Sequence, residues 1–442
     1  MKLKSLSIFK TFLLSLVLFN CSGRAEQAEG DFENVAVNEQ KRELSEFKVY
    51  RGNTHGHTIF TWGHGWHRGS ETTFDPNYNV PEGMDAADHT TISMNPADYT
   101  NQQGLPANHY ERAKANGYDF YVTTDHSQEP TLQPVSIDNT FWQTTLKHAR
   151  TYDNDPDFVA LAGIEFSRNT PDNGGNGHIN PINIAEYVNA DHRDGTPAWP
   201  EANWSIPQFY DWLKTVEPNG EGYVAASFNH PGINQYDDWA NLDEDIVDKI
   251  TMFELHTNYR GFRFKPFIRA LNKGWKVSPV GAHDNHGFGP IDGADQPPPT
   301  LLLAPELTKV AITRAMSQRR TYVSWIEGTE LRYSVNDFIM GSTLDRADTY
   351  KFQIEIKTPK SDTGNRIRRI QILRNHPDGE DDVVVVAEAE FDGDMDEVKW
   401  SPTIEDPTAK YFLLSVHHGT DITDGEYNNR ASTYSGPVWT GK

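Results

Sequence analysis

Seven short apolar runs each end in a side chain that can ligate a metal ion. This recurrence restricts the chain to folds that gather many strand ends in one place. "FKVYRGNTHGH" closes on His55 and His57, "YDFYVTTDH" on Asp125 and His126, and "FVALAGIEF" brings out Glu165. "GHINPINI" opens with His178, "GYVAASFNHPG" delivers His230, "ITMFELH" delivers His256, and "KVSPVGAHDNH" delivers His283, Asp284 and His286. Any one of these endings arises often by chance. Their joint occurrence, in order and each beside a β-rich run, does not.

Helical patterns lie between the runs. "PANHYERAKANG" begins with proline and stops at Gly117, and "NTFWQTTLKHAR", "SIPQFYDWLKTV" and "RFKPFIRALNKG" repeat apolar residues every three or four positions. Strands alternating with helices predict a βα architecture with a mainly parallel sheet. In such barrels the functional groups collect at the carboxyl ends of the strands. His55 and His57 sit at i and i+2, so both imidazoles point to one side of a strand and can reach one cation.

One ion takes three or four protein ligands. Seven or more histidines with Glu165, Asp125 and Asp284 therefore suit two or three divalent ions, and the mixed nitrogen and oxygen set suits Zn, Mn or Fe. Two close ions lower the pKa of a water held between them. His67, His89, His109, His148 and His192 read as solvated or capping residues, and His283 as a neighbour of the ligands.

The ordered set His55-Gly-His57, "TTDH", "GIEFS", "GHIN", "NHPG" and "AHDNH" resembles the polymerase-and-histidinol-phosphatase (PHP) superfamily of metallohydrolases. "NPADYTNQQG" and "MSQRRTYVSW" are similar to a large bacterial branch of it, often exported and lipid-anchored, catalogued as a domain of unknown function. The resemblance covers about residues 47–330. It implies a distorted seven-stranded (β/α) barrel and metal-assisted hydrolysis, usually of phosphoesters. The chemistry so implied is hydrolysis by a metal-bridging hydroxide, with Glu165 and Asp284 essential. On that reading His256 is the expected proton donor to the leaving group, and Arg260, in "TNYRGFR", is placed to fork onto a phosphate. Carried over by position, His55 and His57 bind a first ion with Glu165 and Asp284, and Glu165 bridges to a second ion held by His178 and His230. His126 and His286 bind a third. The family's further ligand to that ion falls near Gly63, which has no side chain to offer, so His64 is the expected substitute. Asp125 is expected to orient a ligand histidine. The runner-up chemistry is hydrolysis of a carboxyl ester, amide or carbamate. The non-enzymatic alternative is a lipid-anchored binding protein with a remnant barrel.

The rest of the chain frames this barrel. Lys2, Lys4 and Lys10 precede the apolar run "TFLLSLVLF", which is shorter than the roughly 20 residues that span a bilayer as a helix. Cys21 follows as the only cysteine, and "LFNC" resembles a lipoprotein cleavage site, with Asn20 where a small residue is usual. The expectation is a signal peptide over 1–21, acylation of Cys21, a tether over 22–46, and a periplasmic or cell-surface location. The barrel is expected over 47–328. An insertion over 65–106, with Trp62 and Trp66 at its start and Phe74, Tyr78 and Tyr99 within its reach, reads as a lid. Residues 329–442 alternate apolar and polar positions in six or seven short runs, which predicts an antiparallel β-sandwich. A formal charge of -23 argues against nucleic acid as a partner. It leaves a small-molecule or polymeric ester as the expected substrate, because bound cations invert the local sign.

Overall fold

Each of the seven runs contains a strand. The computed structural model describes residues 43–58, 60–61, 105–127, 140–167, 177–188, 190, 204–257, 261–285, 298–362, 364–419 and 431–441. Cys21, His64, Arg260, His286 and nearly all of the 65–106 insertion lie outside these residues. The first ten strands are β1 (Lys48–Asn53), β2 (Phe120–His126), β3 (Val159–Ser167), β4 (His178–Ile182), β5 (Ala225–Asn229), β6 (Ile250–Thr257), β7 (Gly261–Phe262), β8 (Ser278–Ala282), β9 (Thr300–Ala304) and β10 (Thr321–Ser324). Five helices accompany them: α1 (Pro106–Ala115), α2 (Thr140–Tyr152), α3 (Ile206–Thr215), α4 (Phe264–Asn272) and α5 (Lys309–Ser317). Local chemistry sets their limits. Ser205 caps α3 reciprocally with Gln208, and Thr308 caps α5 through the N–H of Ala311.

The strands run β10-β9-β1-β2-β3-β4-β5-β6 in one curled sheet, and β8 adds to β6. Not all are parallel. β4 lies antiparallel to both β3 and β5, and β9 antiparallel to β1. Just beyond the ends of β1 and β8 the two segments meet through an isolated parallel bridge between Gly56 and Asn285 and through the N–H groups of His283 and Asp284, which donate to Asn53 Oδ1 and to the carbonyl of His55. The inward side chains Val122, Leu161, Met252, Val280 and Leu302 form one buried cluster with Ala311, Ile312, Ala315 and Met316 of α5. That helix plugs the end of the sheet where the parallel strands begin. The opposite end, where they finish, is left for polar groups. The outward side chains Phe166, Phe228, Phe253 and Leu255 pack with residues of α3 and α4 in a second cluster.

The eleven later strands are β11 (Glu330–Val335), β12 (Phe338–Ile339), β13 (Thr343–Leu344), β14 (Thr349–Lys357), β15 (Ile367–Asn375), β16 (Val383–Met395), β17 (Glu397–Trp400), β18 (Thr403–Glu405), β19 (Tyr411–His418), β20 (Thr433–Ser435) and β21 (Val438–Thr440). β11, β12, β14, β17 and β18 form a separate antiparallel sheet. Its Tyr333, Phe352, Ile354 and Ile356 share a buried cluster with Ile370, Ile372, Phe412 and Leu414 of β15 and β19. β20 pairs antiparallel with β10. β13, β15, β16, β19, β20 and β21 thus continue the first sheet, and the described residues belong to one compact unit.

Gly281 shows how closely the layers approach at β8. A Cβ there would lie 1.9 Å from the carbonyl oxygen of Pro298. That oxygen belongs to backbone and has no rotamer to escape through. Gly281→Ala is therefore expected to destabilise the fold by about 1–3 kcal/mol or more. A denaturation midpoint equal to that of the unaltered protein would contradict this packing.

Candidate metal centre

Glu165 sits near the end of β3 with no exposed surface. Its two oxygens face two different sets of imidazoles. Oε2 lies 3.4 Å from Nε2 of His55, 3.4 Å from Nε2 of His57 and 3.0 Å from Nδ1 of His126. Oε1 lies 2.9 Å from Nδ1 of His178 and 3.2 Å from Nε2 of His230, and it accepts a hydrogen bond from Asn229 Nδ2 at 3.1 Å. Oε2 is buried and accepts no well-aligned hydrogen bond, although three ring nitrogens surround it. A buried carboxylate oxygen in that state could take a metal ion.

Two ligand groups result, and Glu165 belongs to both. His55, His57, Glu165 and Asp284 form one; Glu165, His178 and His230 form the other. In the first group Nε2 of His55 and Nε2 of His57 are 3.1 Å apart, and Asp284 Oδ1 is 3.2 Å from the latter. Two nitrogens at roughly 2 Å from one tetrahedral ion stand about 3.3 Å apart, so the spacing fits a shared cation. The donor set fits a divalent ion of the Zn, Mn or Fe type.

Hydrogen bonds behind the ligands fix which ring nitrogen faces inward. Glu254 Oε1 lies 2.7 Å from His55 Nδ1. A carboxylate only accepts, so Nδ1 carries a proton and Nε2 is the nitrogen turned to the site, open to a proton or a cation. Thr61 Oγ1 donates to Asp125 Oδ1 at 2.7 Å and so accepts from His57 Nδ1 at 3.1 Å and from the N–H of His126 at 3.1 Å. Asp125 also accepts from the N–H and hydroxyl of Thr58. It thereby anchors the turn after β1 and acts on His57 through Thr61. Among the described residues it is in neither ligand group. Gly56 is the spacer of the His-x-His pair because a Cβ there would meet the Tyr121 hydroxyl at 2.4 Å.

His126 stacks on His57 with ring centroids 4.6 Å apart, and its Nδ1 is 2.5 Å from Ser167 Oγ. Its expected companions His64 and His286 lie outside the described residues, as does Arg260. His256 is placed differently from expectation. It is buried against Phe262, with ring centroids 4.8 Å apart, and its Nε2 accepts from Trp325 Nε1 at 3.3 Å. The β6–β8 register shifts between Glu254 and His256, so Glu254 opposes Val280 while His256 opposes Gly281. One extra residue reverses the alternation, and the two side chains leave the strand on opposite faces. Glu254, overlooked beside the more conspicuous His256, is the residue of "FELH" that faces the centre.

The electrostatics match a cation hole. Burial is the largest influence on His55 and opposes its protonation, yet Glu165, Glu254 and Asp284 outweigh it and raise its pKa well above the ordinary value. His230 is likewise raised against burial, by Glu165, Asp284 and Glu254. Burial alone would raise Glu165, but His55, His126 and His178 hold it well below the carboxylate range. A metal ion at this site would compete with protons for the same nitrogens.

No family model and no curated protein matches this chain. Among solved structures it is similar to a two-domain protein from Bacteroides vulgatus ATCC 8482 described as containing a predicted PHP-like metal-dependent phosphoesterase. Identity is 12%, coverage is 90% of this chain and 97% of that one, and the TM-score is 0.42. It is also similar to PsfC from Pseudomonas syringae PB-5123, at 14% identity over 62% of this chain and 90% of that one, with a TM-score of 0.31.

The raised His55 and His230 values have a defined sign. Without metal they stabilise the fold below the ordinary imidazole range, and that stabilisation fades as the pH rises through their folded values. A bound cation supplies the missing charge at high pH. The rise in melting temperature on adding Zn to metal-free protein is therefore expected to grow between about pH 6 and pH 8. An increment that is flat across this range would show that protons and metal do not share these nitrogens.

Proposed function

We propose that this chain is a PHP-type, multi-metal hydrolase that is exported and held at the membrane by a lipid on Cys21. The observation that carries the reading is the single buried carboxylate of Glu165 shared between two ligand groups. A shared carboxylate holds two cations close together, which is the arrangement used to activate a water and to offset charge on both oxygens of an in-line displacement. The preferred substrate class is therefore a phosphoester. A carboxyl ester, amide or carbamate is the second class, because an activated water serves either electrophile.

The chain's own residues divide the work. His55, His57 and Asp284 would hold one ion and His178 and His230 the other, with Glu165 between them. Asp125 and Thr61 keep the His57 ring in one tautomer. Asn229 holds Glu165 Oε1 from the side while its own amide donates to Asn180 Oδ1 at 2.5 Å. The barrel is read as the seven-stranded PHP type, and the later strands as a β-sandwich beside it. The 65–106 insertion is assigned as a wall selecting the substrate, and His126 with His64 and His286 as a third ion position.

The test is a hydrolysis panel on protein beginning after Cys21. It contains a phosphomonoester, a phosphodiester, a carboxyl ester and a carbamate, each with Mn or Zn. Glu165→Gln and Asp284→Asn are expected to lower turnover by at least about 10³-fold with the fold retained. Turnover confined to the carbon esters would move the enzyme to the second class. Retention of phosphoester turnover in both variants would overturn the assignment.

The anchor has its own test. Cys21→Ala is expected to shift the expressed protein from the membrane fraction to the soluble one and to abolish palmitate labelling. Labelling that survives the substitution would remove Cys21 as the attachment point.

A further inference from the structure

Glu254 belongs to neither ligand group, yet it touches one member of each. Oε1 faces His55 Nδ1 at 2.7 Å, and Oε2 accepts from the backbone N–H of His230 at 2.6 Å. The side chain has no exposed surface, and both oxygens are committed. We infer that Glu254 is a positioning residue that couples the two ion positions, a role that rests on the metal-centre reading above.

The two contacts do different things. On one side the carboxylate fixes the tautomer and plane of the His55 ring. On the other it holds main chain. His230 has φ 28°, in the left-handed region that residues with a side chain seldom occupy. Its ring reaches Glu165 Oε1 from that backbone. The N–H bond to Glu254 is thus one of the restraints that keep the His230 ring aimed at the second group. β6 carries the carboxylate, and pairing with β5 and β8 on its two sides limits how far it can shift. An ion that orders His55 therefore orders Glu254 Oε1, and through the same rigid carboxylate Oε2 and the His230 backbone. Filling one position favours filling the other. A glutamine cannot substitute: its single carbonyl oxygen can serve His55 or His230, and its amide would face the remaining N–H.

The probe is Co²⁺, added to metal-free full-length protein and followed by its visible absorbance. Glu254→Gln is expected to weaken both ions by roughly 10–100-fold and to abolish their joint filling. A decisive arm uses the His55→Ala/His57→Ala protein, in which the group of Glu165, His178 and His230 remains intact. In that background the contact left to Glu254 is the His230 N–H, and adding Glu254→Ala, which removes that acceptor altogether, is expected to weaken the remaining ion by roughly 10-fold or more. Unchanged affinity there would overturn the coupling and leave Glu254 as a partner of His55 alone. A lower melting temperature of the metal-free variant with unaltered isotherms would overturn it too. If Glu254→Gln fails to fold, Glu254→Asp keeps the charge but is too short to serve both partners, and the same comparison applies. An unaltered protein that binds no Co²⁺ would instead sink the metal-centre reading itself.

Discussion

A fully buried carboxylate ringed by imidazoles is the constraint on which the rest of this structure depends. Removing an ion from water costs several kcal/mol unless opposite charge replaces the solvent. Glu165 meets this through His55, His57 and His126 on one oxygen and His178 and His230 on the other. Those five histidines come from beside four different strands. The sheet must curl for them to converge, and α5 must plug the far end so that the polar end can stay open to ions. Fold and site are therefore one solution: an apolar half built on Val122, Leu161, Met252 and Val280, and a polar half built on the strand ends.

Much of this was legible in the sequence because strand ends announce themselves. His55, His57, Glu165, His178, His230 and Asp284 each sit beside a β-rich run, and they converge in the structure. What periodicity cannot carry is direction and parity. β4 lies between β3 and β5 and runs against both, and nothing in "GHINPINI" reveals that. The bulge in β6 is likewise silent. Counting by two from Glu254 puts His256 on the same face, whereas one unpaired residue sends it to the other, against Phe262 and Trp325. The continuity of β20 with β10 is a long-range pairing that local patterns do not encode.

The polar shell behind the ligands explains why the site needs more than its ligands. Each inward nitrogen of the first group has its ring partner fixed from behind: His55 by Glu254, and His57 by Thr61 and, beyond it, Asp125. These partners come from β6, the turn after β1, and β2. A ligand histidine whose outer nitrogen met water would be free to interconvert tautomers and to turn a protonated nitrogen towards the site. Placing acceptor-only carboxylates at the end of both chains removes that freedom before any ion arrives.

Strain and rigidity meet at the two ligands that follow strand ends. His230 and Asp284 adopt φ values of 28° and 45°, where side chains crowd the backbone. Each is restrained by its own N–H. His230 donates to Glu254, and Asp284 donates to the carbonyl of His55 at 3.1 Å. Both restraints lead to residues in direct contact with each other, since Glu254 holds the His55 ring. The strained backbone on either side of Glu165 is thus tied back to one pair, His55 and Glu254. Such strain persists only where the surroundings over-determine it. Here the surroundings are the ladders of β6 and β8, whose purpose at this end of the sheet is to keep His230 and Asp284 aimed at the same small volume.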